Sequence, residues 1–121
     1  MWNVRIEDRE ASILFIRWEG KVTPEDVKRV NNKVEEYLKE LQASTFDVIV
    51  EMNVVAWPSD TQQEVVKHQE WLLQKGMNRA AVIVNSAISK MQLKRTSSES
   101  SHTKEYHFGT FEEGMNFLKG A

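Results

Sequence analysis

Apolar and polar residues alternate at the start of the chain. Trp2, Val4 and Ile6 are separated by Asn3, Arg5 and Glu7, the period of a strand with one wet face. Asp8, Arg9 and Glu10 make a turn, and Ile13 to Trp18 form a second strand that ends at Gly20 and pairs with the first as a hairpin. Thr23, Pro24, Glu25 and Asp26 then supply an N-cap, a proline at the first helical position and acids in the first turn. Val27, Val30, Val34, Leu38 and Leu41 follow at intervals of three or four, one apolar stripe of a helix lying on the sheet. The pattern changes at Val48, Ile49 and Val50, whose unbroken apolar run marks a strand buried on both faces and therefore central.

Beyond this strand Trp57, Pro58, Ser59, Asp60 and Thr61 combine a helix breaker with three good capping residues, which predicts a helix from about Asp60 to Lys75 ended by Gly76. Val65, Leu72 and Leu73 mark its inner side. Arg79 to Asn85 is another continuous apolar strand, and a further helix capped by Asn85 or Ser86 carries Ile88 and Met91 on one face. The polar run Thr96 to Ser101 reads as a surface loop. Tyr106 and Phe108 belong to a last short strand. Thr110 and Glu113 form a capping pair for a closing helix with Phe111, Gly114, Met115 and Leu118 at helical spacing. Strands separated by single helices imply crossovers, so the expected fold class is α/β: a mostly parallel five-stranded sheet with an N-terminal hairpin and four helices, as a single domain over residues 1–121.

Composition narrows the function. With 16 basic and 18 acidic side chains the formal charge is −2, too balanced for nucleic acid or an anionic membrane to be the main partner. The absence of cysteine removes disulfides, thiolate metal sites and a thiol nucleophile. The first ten residues lack the apolar core of a signal peptide, and no apolar run reaches the roughly 20 residues that span a bilayer. The chain reads as soluble and cytoplasmic, with no integral membrane segment.

Candidate chemistry is sparse. His68 sits on the second helix with no second histidine or carboxylate cluster at ligand spacing, so it reads as a residue at the edge of the packed face. His102 and His107 are five apart, on opposite faces of a strand, which argues against a shared metal. None of the serines stands in a nucleophile elbow, and Gly76, Gly109 and Gly114 do not make a phosphate loop. No enzyme, cofactor or metal is indicated. The loop after the central strand is the best address, because loop side chains and N–H groups converge at the carboxyl ends of parallel strands. Trp57 there would anchor a partner or an apolar ligand if exposed, while Ser59, Asp60 and Thr61 would at least cap the helix. Lys90, Lys94 and Arg95 border a second apolar surface around Ile88, Met91 and Leu93.

The phrases WEGKVTPEDVKRV, FDVIVEM, GMNRAAVIV and FGTFEEGMNFL, in this element order, resemble the STAS-like superfamily, and most closely its SpoIIAA-like branch. The resemblance runs from Trp2 to Leu118. It implies a bacterial, cytoplasmic, non-enzymatic regulatory or protein-interaction domain that binds a partner at the loop and helix after the central strand. In anti-anti-sigma proteins of this kind a phosphorylatable serine follows an aspartate at the start of that helix, and a short Gly-Leu element follows. Here Ser59 precedes its aspartate, Asp60 is followed by Thr61, and the Gly-Leu element is missing. The resemblance therefore implies Ser59 or Thr61 as phosphoacceptor and Trp57, Ser59, Asp60 and Thr61 as the partner- or ligand-binding set. The related lipid-binding Sec14-type fold implies the alternative of a carrier or sensor for a small apolar or lipid-like ligand. A homodimer through a sheet edge or helix face is compatible with either.

Overall fold

The computed structural model describes residues 1–56, 58–84 and 105–120. Eight elements follow one another: β1 (Trp2–Asp8), β2 (Ile13–Lys21), α1 (Pro24–Leu41), β3 (Phe46–Ala56), α2 (Ser59–Gln74), β4 (Met77–Val84), β5 (Glu105–Phe108) and α3 (Phe111–Leu118). The expected helix beginning at Asn85 or Ser86, with Ile88, Met91, Leu93 and the cations Lys90, Lys94 and Arg95, lies outside the described residues, as do the Thr96 to Ser101 run, His102 and Trp57. Among the described residues there are thus three helices and not four.

The five strands lie in the order β1-β2-β3-β4-β5, with β3 in the middle as its apolar run predicts. The expectation of a mostly parallel sheet is corrected to a mixed one. β1 and β2 pair antiparallel, and β2 with β3, β3 with β4 and β4 with β5 pair parallel. The turn between β1 and β2 is too short for the crossover of a dozen or more residues that a parallel pair needs. It is closed by Asp8, whose Oδ1 accepts the Ala11 amide at 2.8 Å, and by Ser12 at a φ of 56°.

Both crossovers step across the sheet in the same direction, and with the usual right-handed connection that puts α1 and α2 on one face. Alternation along the strands then divides the interior. Leu14, Ile16 and Trp18 of β2, Val48, Val50 and Met52 of β3 and Ala80 and Val82 of β4 meet Val27, Val30 and Val34 of α1 and Val65 and Leu72 of α2. The intervening Ile13, Phe15, Ile49, Ala81 and Ile83 face the other way, where Leu118 of α3 buries against them and Phe111 and Met115 pack at the margin. This is why the middle of β3 is apolar without a break.

α1 starts as its sequence predicts: Thr23 Oγ1 accepts the Asp26 amide at 3.2 Å and Asp26 Oδ2 accepts the Thr23 amide at 3.0 Å, a reciprocal capping box. α3 is tied down by polar contacts at its end. Arg79 Nη2 reaches the Leu118 carbonyl at 2.8 Å and Asp47 Oδ2 at 3.0 Å, so one cation meets the negative end of the helix and a carboxylate from β3. Lys119 pairs with Asp8 at 2.9 Å, and its hydrogen bond holds the Asp8 carboxyl below its usual range.

Candidate functional site

The carboxyl ends of β2 and β3 form a rim from which both α1 and α2 depart. The chain leaves β3 and enters α2 through Pro58, the N-cap residue, in extended conformation at φ −63° and ψ 165°. Proline offers no side-chain oxygen, and α2 has no side-chain cap. The expected capping by Ser59, Asp60 or Thr61 is therefore replaced by a start one residue earlier, with Ser59 already in the first turn. Proline's fixed φ favours this entry, and its carbonyl accepts the Gln62 amide at 2.9 Å.

The three side chains behave differently. Ser59 and Asp60 are exposed. Asp60 Oδ1 accepts the Thr61 amide at 2.8 Å, so its carboxylate satisfies a first-turn N–H that has no intrahelical partner. Thr61 is completely buried, and its hydroxyl donates to the Val22 carbonyl at 2.8 Å. Val22 is the residue between β2 and the Thr23 cap, so this one bond fastens the start of α2 to the start of α1. The sequence puts all three at one site. The structure separates them into two residues facing outward and one that holds the rim together. Replacing Thr61 by valine is expected to cost about 1–2 kcal/mol, because the buried Val22 carbonyl loses its donor at nearly constant side-chain volume. Serine at the same position should recover most of that loss, and urea unfolding of the two variants checks the difference.

Further along α2 the inner stripe is partly polar. Thr61 and His68, Gln62 and Gln69, and Val65 and Leu72 each stand seven apart, and all six are buried. That spacing is visible in the sequence, although hydropathy alone assigns only Val65 and Leu72 of the six to the interior; Leu73, also expected on the inner side, is partly buried. His68 lies inside the packed layer and not at its edge. Its Nδ1 hydrogen-bonds Asn31 Oδ1 on α1, its ring meets Trp18 edge-on at 5.5 Å, and Trp71 stacks at 6.5 Å. Gln69 Nε2 donates to Glu105 Oε2 at 3.0 Å, and Glu105 Oε1 meets His107 at 2.8 Å. A cavity of about 30 Å³ lies here, lined by Trp18, Val50, Val65, His68, Gln69 and Glu105 among others. Its size suits one or two waters, whereas small-molecule pockets run to roughly 300 Å³ or more.

Among the described residues no group of three or more His, Cys, Asp or Glu side chains is placed to hold a metal ion. No helix among them is long and apolar enough to cross a membrane.

The sequence pattern of the SpoIIAA-like family matches residues 13–119. No curated protein sequence matches the chain. Among solved structures, the anti-sigma factor antagonist SpoIIAA in its unphosphorylated form is similar, with a TM-score of 0.70 and 14% identity over 100% of this chain and 98% of that one. At that identity the likeness concerns the fold.

Proposed function

The chain belongs to the SpoIIAA-like family, and from that premise we propose that it is a non-enzymatic regulatory domain that binds a protein partner at the rim where β3 gives way to α2. The observation that carries this reading is the outward pair Ser59 and Asp60 on a helix start that is otherwise fastened to the core by Thr61. A rigid element presenting a few exposed polar groups gives a partner something fixed to recognise. Trp57, next to Pro58 in sequence, is the aromatic anchor of the proposed surface.

Ser59 is also the proposed phosphoacceptor. Its side chain is open to a kinase, while a phosphate on Thr61 would first require the Thr61–Val22 bond to break. A phosphoryl group at Ser59 would stand at the positive end of α2, which favours it, and beside Asp60, which repels a partner's acidic groups together with it. Modification there changes the charge of the rim without entering the core.

A photo-crosslinking side chain at Ser59 tests the reading in the source cells. It should trap one defined partner, while the same group at Glu10, on the turn at the other end of β2, should not. A Ser59→Glu background, with the probe moved to Gln63, should reduce the yield. Equal trapping from Glu10 and Ser59, or none from Ser59, would remove the proposed surface.

A further inference from the structure

Among the described residues β1 is one edge of the sheet, and part of its backbone turns away from β2. Met1 and Glu19 exchange both their bonds, at 2.9 and 3.0 Å. Bonded and non-bonded pairs alternate along an antiparallel ladder, so Asn3 and Arg5 turn their amides toward β2 while Trp2, Val4 and Ile6 turn theirs outward. No strand among the described residues takes them up. The apolar layer on the α1 side thins out at the same edge. Trp2 and Ile6 are only partly buried, and so is Tyr37, on the flank of α1 turned away from the Asn31 and Glu35 that meet α2.

We propose that this edge pairs with β1 of a second copy of the chain, antiparallel about a two-fold axis at Val4, joining the two sheets into one. Two-fold pairing keeps like faces together and so centres the register on a single residue; a centre at Trp2 or Asn3 gives Ile6 no opposite residue, which leaves Val4, Arg5 or Ile6. A centre at Arg5 sets Trp2 opposite Asp8, on the far side of the bulge. A centre at Ile6 draws in the bulge after Ile6 and Asp8, which is already held by Lys119. A centre at Val4 leaves the bulge outside. It sets Trp2 opposite Ile6 of the second copy and Arg5 opposite Asn3, and forms about six backbone hydrogen bonds, two for each of three narrow pairs.

Charged residues on an edge ordinarily keep other strands away. Here they do not stand in the way, because Arg5 is paired with Glu7 of its own chain at 2.9 Å and its guanidinium lies 3.8 Å over the Phe15 ring. The edge offers a self-matching strand in which Trp2 and Ile6 are only partly covered, on either side of the buried Val4. A copy of the same strand supplies that cover on both sides of the axis at once, which is the argument for this occupant over an unrelated one.

Sedimentation equilibrium combined with amide hydrogen exchange tests the proposal on the intact chain. A dimer is expected at about 100 µM, with the amides of Trp2, Val4 and Ile6 exchanging at least about tenfold more slowly than at high dilution. The Asn3 and Arg5 amides, bonded within the chain, serve as the reference. Ile6→Lys should weaken association by about 100-fold. A monomer at all concentrations overturns the proposal. So does a dimer whose three outward amides exchange at the monomer rate, or a folded Ile6→Lys protein that dimerises as before. Should that variant not fold, the exchange rates of the unaltered chain decide.

Discussion

Replacing Gly76 by alanine is expected to destabilise the protein by about 4 kcal/mol, through one added methyl group. Gly76 connects α2 to β4 at a φ of 107°, a backbone conformation that side chains other than glycine's rarely adopt. A Cβ there would lie 2.2 Å from the carbonyl oxygen of Ser44. That oxygen belongs to backbone leading into β3, so relief requires moving the chain and not merely turning a side chain. The same turn is fixed by the bond from the Phe46 amide to the Gly76 carbonyl at 3.3 Å, and opening it disturbs the first pair of the central β3–β4 ladder. Gly20 provides the comparison. It also has positive φ, 67°, but a Cβ there meets nothing within 4 Å. Gly20→Ala should therefore cost only the conformational term, about 1 kcal/mol. Urea unfolding of both variants separates the contributions, and equal losses would show that the contact with Ser44 does not matter.

Phe15→Ala is expected to cost about 3–5 kcal/mol, at the upper end of core truncations. Phe15 is the largest fully buried side chain between the sheet and α3. Its ring meets Phe111 edge-on at 6.1 Å and carries the Arg5 guanidinium at 3.8 Å, so truncation removes an aromatic pair and a cation–π contact as well as apolar area. α3 cannot easily close the gap, because Arg79 holds its last carbonyls and Gly114 already sits close on Ile83 and Ile49. Alongside the global loss, the amides of α3 should exchange faster than those of α1, which packs on the opposite face. A loss below about 1.5 kcal/mol would mean that this side of the sheet repacks.

The partner surface and the two-fold edge proposed above use different parts of the fold. One is the rim at the carboxyl ends of the strands, the other the outer side of β1. Ser59 and Asp60 stand at the start of α2 and not on β1, so a regulatory role and a dimer are compatible.

Much of this architecture is legible in the order of residues, because it rests on local chemistry. The capping box at Thr23 and Asp26, the proline that follows it, the valine stripe of α1 and the period of β1 are each decided within a few neighbouring positions. The central place of β3 is legible for a related reason: a strand covered on both faces must be apolar on both. The likeness to the SpoIIAA-like family rests instead on particular phrases, from WEGKVTPEDVKRV to FGTFEEGMNFL, and the family match over residues 13–119 bears it out.

Other features were decided by contacts between segments distant in the chain. Ser59, Asp60 and Thr61 are equally good capping residues on paper, yet Pro58 begins the helix and the carbonyl of Val22, 39 residues before Thr61, determines which of the three turns inward. His68 looks peripheral until Asn31 and two tryptophans enclose it. A polar side chain announces in sequence only that it needs a partner. Whether that partner is water or a group brought from another strand or helix depends on how the layers meet, and only the folded chain answers it.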